Sequence, residues 1–364
     1  MTGDRIAPRA NPGLLGHGAA ERVLIDAWAS GRLAHAWLIG GPAGIGKATL
    51  AFRFARFLLA RGDFGGGGGL FGAPPVPDTL AVAPDHPVFL RVAAGGHGNL
   101  LTVERTFDEK RGRLRQDILV EDARRIGPFL RQTANEEGWR IVVVDGADAM
   151  NASSQNAILK LLEEPPSRAL LLLTAHNPGG LLPTIRSRCR RLRLDPLPDT
   201  TVDLLLAGMR SDLDDAQRAA LVRLSEGSVG RALELAEADA LTLLSEFLAI
   251  VATAPGIDPR AVQAFAERVT GRRSTEAAYE TTTALIVWWF ARLARQTAMG
   301  APGPEVVAGE GPVMGRLMAL PRGLERWLDV WEKVARLFSR ADSANLDRKQ
   351  VVMTALGMID AAAA

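Results

Sequence analysis

The chain has 364 residues, 47% of them hydrophobic and 23% charged, and a formal net charge of +2. That length exceeds what one core organises and predicts two or three domains, while the composition excludes wholesale disorder. The near-neutral balance excludes bulk charge as the driver of nucleic-acid binding, so any DNA contact is local or shared with partners.

The single cysteine, Cys189, excludes an internal disulfide and a multi-cysteine zinc site, as in a reducing cytosol. Behind Arg5 and Arg9 no apolar signal-peptide core follows. No segment approaches the ~20 apolar residues of a spanning helix, so the expected location is the cytoplasm, with no membrane contact.

In chain order, Ala36-Trp37-Leu38-Ile39 reads as a strand ended by glycines, and Thr49 to Ala60 as a helix. Between them, Gly41-Pro42-Ala43-Gly44-Ile45-Gly46-Lys47 fills the first seven positions of the phosphate-binding loop, in the strand-loop-helix context that motif needs. Its glycines let backbone N–H groups turn onto phosphate oxygens, the helix start adds its positive dipole end, and Lys47 reaches the terminal phosphates. The eighth position is Ala48, where a Ser or Thr hydroxyl normally ligates magnesium. Thr49 stands about 100° further round the helix, so its hydroxyl is not expected to substitute.

Gly62 to Pro77, with five consecutive glycines and three prolines, reads as a surface insertion. His86, His97 and His176 are too scattered in sequence to argue for a metal. Arg140 to Val144 and Leu170 to Thr174 are further strands. The first of these runs into Asp145, the acid expected to help hold magnesium, and then into Gly146, where a hydrolase needs a side chain to orient or deprotonate water. Asp148 is a weak substitute, equally readable as a capping or solvated acid before the next helix. Strands alternating with helices predict a parallel sheet with crossover helices.

Within Asn156 to Pro166, Ile158, Leu161 and Leu162 share one helical face, Lys160, Glu163 and Glu164 lie off it, and Pro165-Pro166 ends the helix. Asp195-Pro196-Leu197-Pro198-Asp199 is a linker signal, after which the spacing turns helical. Pro255-Gly256 and the loop from Gly300 to Pro312 interrupt that half, leaving helices near Thr275 to Met299, Gly323 to Ala341 and Arg348 to Ile359. Trp288, Trp289, Trp327 and Trp331 are expected to fill the core of that bundle.

Several of these stretches resemble one family. Asn156 to Pro166 is similar to the helix after the second nucleotide motif of the bacterial clamp-loader AAA+ subunits. Ile185-Arg186-Ser187-Arg188-Cys189 resembles their Ser-Arg-Cys motif, and Gly227-Ser228-Val229-Gly230-Arg231-Ala232-Leu233 their lid motif. Leu15-Gly16-His17 and Gly31 to Trp37 extend the likeness, and Ala344-Asn345-Leu346-Asp347 resembles the end of the collar domain. The resemblance implies three parts: an α/β P-loop AAA+ parallel-sheet domain over residues 1–194, a small helical lid over 195–240 and a helical collar over 241–364. It also implies that Arg188 acts as an arginine finger in a neighbouring subunit's nucleotide site.

The implied role is that of the delta-prime type: a subunit with little or no hydrolysis of its own inside the DNA polymerase III holoenzyme, a nucleotidyltransferase complex. It would join gamma/tau motor subunits and a delta subunit to load a sliding clamp on primed DNA. ATP or ADP with Mg2+ is the implied ligand. Zinc is not expected, because the four-cysteine module that many relatives carry after the P-loop helix is replaced by the glycine loop. Where the motor subunits carry the lid arginine this chain has Gly230, with Arg231 one place on. The alternatives are an active AAA+ motor, against which Gly146 and Ala48 speak, and a small-molecule P-loop kinase, against which the Ser-Arg-Cys motif and the helical tail speak.

Overall fold

Three apolar runs are buried along their whole length: β1 (Ala36–Gly40), β5 (Arg140–Val144) and β6 (Ala169–Ala175). Strands read as unbroken hydrophobic runs when helices cover both sheet faces, as in parallel sheets. With β2 (Leu100–Val103) and β7 (Arg190–Arg193) at the edges they form a five-stranded sheet in the order β2-β5-β6-β1-β7. Every pairing in it is parallel. A separate antiparallel pair joins β3 (Phe107–Asp108) and β4 (Arg113–Leu114).

The structure, a computed structural model, describes residues 6–63, 75–108, 113–131, 138–271, 274–301, 303–344 and 346–364. Most of the glycine-rich stretch read as a surface insertion, residues 64–74, and Asn345 of the collar-like motif lie outside the described residues. The chain divides into two compact units, 1–201 and 202–364.

In the first unit, alternate strand residues serve opposite faces of the sheet. Trp37, Ile39, Ile141, Val143, Leu170 and Leu172 pack with residues of α1 (Gly18–Ala29) and α2 (Lys47–Arg61). Leu38, Val142, Val144, Leu171 and Leu173 pack on the other face with residues of α6 (Ala152–Glu163) and α7 (Pro183–Arg188). Shorter helices α3 (Pro87–Ala93), α4 (Val120–Arg124) and α5 (Ile126–Arg131) complete this unit. Helix α2 starts two residues before the predicted Thr49, because the loop glycines end at Gly46, whose left-handed backbone (φ 103°) begins the helix directly.

Two arginines on α2 are buried and hold the segment before α1. Arg56, 1% exposed, donates to the carbonyls of Arg9 and Asn11 at 2.7 Å each, and its guanidinium stacks on Phe89. Arg53 pairs with Glu21 at 2.8 Å and also donates to the Pro12 carbonyl. Burial, with the neighbouring Arg53 charge added, lowers the Arg56 pKa to about 10.

The second unit is helical, with α8 (Asp199–Met209) leading into it. Then come α9 (Asp215–Ser225), α10 (Val229–Glu237), α11 (Ala240–Val251) and α12 (Pro259–Thr270). Helices α13 (Glu276–Met299), α14 (Glu310–Met318), α15 (Gly323–Ala344) and α16 (Arg348–Ala363) follow. The predicted break at Pro255-Gly256 separates α11 from α12. The loop read as running to Pro312 ends earlier, at Gly309. Pro312 sits in the first turn of α14, where a proline's missing N–H costs no helical hydrogen bond. Trp289 and Trp327 are fully buried, edge-on to Phe247 and tilted against Phe290 respectively; Trp288 is nearly buried, and Trp331 only half-buried.

Replacing Arg56 by Met removes the donors from two partly buried carbonyls while keeping most of the apolar stem. The expected cost is about 2 kcal/mol, since an orphaned acceptor costs about 1–3 kcal/mol when buried and the low end applies to partly buried ones. It is measured as a lowered urea midpoint at unchanged slope.

Candidate functional site

The site is built from the C-terminal edge of the sheet, where the parallel strands all end on one side. The loop after β1 is turned by Gly41 (φ 152°), Gly44 (φ 70°) and Gly46 (φ 103°). At Gly41 the turn admits no side chain, because a Cβ there would stand 2.4 Å from the Leu194 carbonyl oxygen. Pro42, Ala43 and Gly44 are exposed, whereas Ile45 is buried and anchors the loop in the core. From above, His17 contacts the Ile45 carbonyl at 2.6 Å through Nε2, which fixes the far side of the loop.

Lys47 opens α2 and is 4% exposed. Its ammonium donates to the carbonyl of Pro42, within its own loop. Burial lowers its pKa to about 8, and the attraction of Asp145 and then Asp148 only partly offsets that. Ala48 is partly exposed beside the loop, while Thr49 is buried, so the two positions do face different surroundings.

At the end of β5, Asp145 accepts a hydrogen bond from the Thr174 hydroxyl at 2.6 Å. The same hydroxyl accepts from the Gly146 N–H at 2.9 Å. Gly146 has left-handed backbone (φ 76°, ψ 51°), a region that L-residues enter at a cost. Nothing lies within 4 Å of where its Cβ would be, so backbone conformation alone disfavours a side chain there. Asp148, partly exposed, does not cap the helix that follows: its Oδ2 accepts from the N–H groups of His176 at 3.0 Å and Asn177 at 2.7 Å. Asn151 caps α6 instead, accepting from the Ser154 N–H at 3.0 Å.

A cleft of about 540 Å³ is lined by Glu104, Arg105, Asp145, Gly146, Asp148 and His176, among others. Glu104 follows the last residue of β2 and lies beside Asp145 by strand register; burial, then the Asp145 charge, raises its pKa. Burial and the nearby Lys47 lower the pKa of His176. Glu104 and Thr174 went unremarked in the sequence, although both are polar residues at the C-terminal end of an apolar strand, the place where open parallel sheets bind ligands.

The loop geometry fits a phosphate chain: turned backbone, a helix start and a buried ammonium stand together. The metal half is thinner. Ala48 offers no oxygen, one Asp145 oxygen is engaged by Thr174, and among the described residues no group of three or more His, Cys, Asp or Glu side chains is placed to hold a metal ion.

Arg188 lies elsewhere. It ends α7 just before β7 begins, at the N-terminal edge of the same sheet. Its NH1 donates to the Thr184 carbonyl at 3.1 Å and its NH2 pairs with Glu163 at 2.8 Å. The other residues of the motif have distinct surroundings: Ser187 donates to that same carbonyl at 3.1 Å, and Cys189 is buried, its thiol pKa raised to about 12 by burial. Of the neighbouring arginines, Arg190 stacks over Trp37 and Arg193 pairs with Asp195. In the helical unit, Ser228 caps α10 and Arg231 pairs with Glu226 at 3.4 Å.

Residues 84–198 match the family profile described as DNA polymerase III, delta subunit. The DNA polymerase III subunit delta' of Pseudomonas aeruginosa is 36% identical over 171 residues, 47% of this chain and 46% of that protein. The subunit delta' of Escherichia coli is 32% identical over 223 residues, 59% of this chain and 58% of that protein. The chain thus spans about half the length of the curated relatives it matches. A gamma subunit-related DNA polymerase III protein of Thermotoga maritima aligns over 96% of this chain and 100% of its own, at 19% identity and a TM-score of 0.40. The resemblance drawn from the sequence motifs is borne out by the profile and by the delta' relatives.

Gly146→Glu, which would place an acid where a hydrolase carries one, is expected to cost about 1–2 kcal/mol from the left-handed backbone alone. Urea denaturation beside the parent chain checks it, and an unchanged midpoint would mean that the turn relaxes.

Proposed function

We propose that this chain is the delta-prime-type subunit of a DNA polymerase III clamp loader. In this reading it binds nucleotide with modest affinity, does not hydrolyse it, and supplies Arg188 to the nucleotide site of a neighbouring motor subunit. Residues 1–194 act as the AAA+ domain, 195–240 as the lid and 241–364 as the collar. The partners are gamma/tau-type motors and a delta subunit, with the sliding clamp and primed DNA engaged through the complex in the cytoplasm.

One observation carries the proposal. The phosphate-binding loop follows β1 at the C-terminal edge of the sheet, whereas Arg188 precedes β7 at the opposite edge. Strands of four or five residues at ~3.3 Å each separate them by roughly 13–16 Å. An arginine placed there is out of reach of its own loop. A guanidinium offered to a transferring phosphoryl group stabilises the developing charge, and such a finger can act from a separate chain.

Absence of hydrolysis rests on three features together: Ala48 at the metal-binding position of the loop, a left-handed glycine at 146, and Asp148 committed to backbone N–H groups. The isolated chain is therefore expected to show no ATP turnover above background. Turnover on the order of 1 per second, abolished by Lys47→Ala, would favour the active-motor reading. In the assembled loader, Arg188→Ala should leave assembly intact and lower clamp- and DNA-stimulated ATPase, with a loss on the order of 10³-fold at the affected site. Arg190→Ala and Arg193→Ala are the controls. If either impairs the complex while Arg188→Ala does not, the trans-acting role is wrong.

Weak nucleotide binding has a pH signature. Polyphosphate beside Lys47 favours its charged form, so above the free-state pKa of about 8 binding must take up a proton. ATP affinity is expected to be level below pH 8 and to fall as the pH rises beyond it. Calorimetry across pH 7 to roughly 9.5 measures this, and Lys47→Met should bind more weakly without that dependence.

A further inference from the structure

Arg188 does not project freely from the sheet edge. Its NH2 lies 2.8 Å from Oε1 of Glu163, the last residue of α6, and its NH1 donates to the Thr184 carbonyl within α7. The two groups come from different helices that both end at this edge. His35, just before β1, contacts the Leu162 carbonyl at 3.1 Å, which ties the end of α6 to the N-terminal side of the sheet. Pro165 and Pro166 prevent α6 from continuing, so Glu163 stays in the last turn. Its neighbours Leu161 and Leu162 are buried and fix the helix rotation, leaving Glu163 about half exposed and turned out beside Arg188.

We propose that Glu163 is the positioning residue for Arg188, holding the guanidinium at the angle from which it meets the phosphates of an adjacent chain. The inference rests on the trans-acting reading of Arg188. A guanidinium has five N–H donors in a planar fork. The carboxylate and the carbonyl each engage one end of it, so those two contacts leave further N–H donors of the fork uncommitted by them. Arg188 can therefore keep both contacts and still offer donors to phosphate oxygens, which favours an orienting contact over a latch that must open first. The pair is about one-third exposed on the arginine side, so solvent screens it and its contribution is small. That sets the scale: losing Glu163 should cost several-fold, far less than losing the arginine.

The test is a double-mutant cycle in the reconstituted loader, with gamma/tau-type motors, clamp and primed DNA. Glu163→Ala is expected to lower stimulated kcat for ATP about threefold with KM unchanged, and to add nothing once Arg188→Ala is present. A role confined to stability would move the melting temperature of the chain and would lower the rate equally in both arginine backgrounds. Glu163→Gln, nearly isosteric, runs through the same cycle in case the alanine variant assembles poorly. An unchanged or raised rate with Glu163 replaced, while Arg188→Ala still impairs the complex, overturns the positioning role, and so do equal losses in both backgrounds. If Arg188→Ala is itself without effect, the reading of Arg188 fails, and this inference falls with it.

Discussion

The parallel ladder runs past the ends of its strands, and the candidate site depends on that overrun. The Gly41 N–H donates to the Ala175 carbonyl at 3.2 Å, and the Asp145 N–H to the Val103 carbonyl at 2.8 Å. The Leu194 N–H likewise reaches the Gly40 carbonyl at 2.8 Å. Backbone groups in the first loop residues are thus paired as if they were still strand, which satisfies them where burial would otherwise be costly. It also locks the start of the phosphate-binding loop to the exits of β6 and β7, and Asp145 to the exit of β2. Side chains from four strands converge because the main chain is held in register up to the turning point of each.

That edge and its opposite have different chemistry. At the C-terminal edge a buried ammonium faces acids that are largely committed: Asp145 to Thr174 and Asp148 to two backbone N–H groups. Held through one oxygen each, the acids support the turn between β5 and α6 and the turn after β6. At the N-terminal edge, Arg188 and Glu163 are partly solvated and only lightly held. In a protein proposed to contribute to a neighbour's chemistry, this more exposed edge is the one that has to meet another chain.

Much of this was legible in the sequence, for identifiable reasons. Unbroken apolar runs located β1, β5 and β6 because strands covered on both faces need no polar alternation. The motif residues Gly41 to Lys47 and Asp145 followed from spacing, since each adjoins such a run. Thr174 was hidden because a hydroxyl at the end of a leucine-rich strand looks like a mild interruption; its role arises from the register of β5 with β6, a contact between residues 29 apart in sequence. Glu104 was hidden likewise, since β2 lies at an edge and its partner strand is distant in sequence. Asp148 stayed ambiguous because either reading suits an acid before a helix, and only the path of the chain after β6 decides. Helix α14 was not foreseen, because the Gly/Pro-rich run ending at Pro312 signals a loop in sequence although a proline is compatible with a first helical turn.

The buried arginines of α2 bear on how this sequence can drift. Arg56 and Arg53 grip the segment around residues 9 to 12 almost wholly through main-chain carbonyls. A carbonyl is present whatever the side chain, so substitutions at those positions leave the acceptors in place. Insertion or deletion of a residue there would shift the carbonyls out of step with guanidinium groups that have no water to fall back on. The segment should therefore accept changes in spelling far more readily than changes in length, and a gap in this stretch between related sequences would be matched by a change at position 53 or 56.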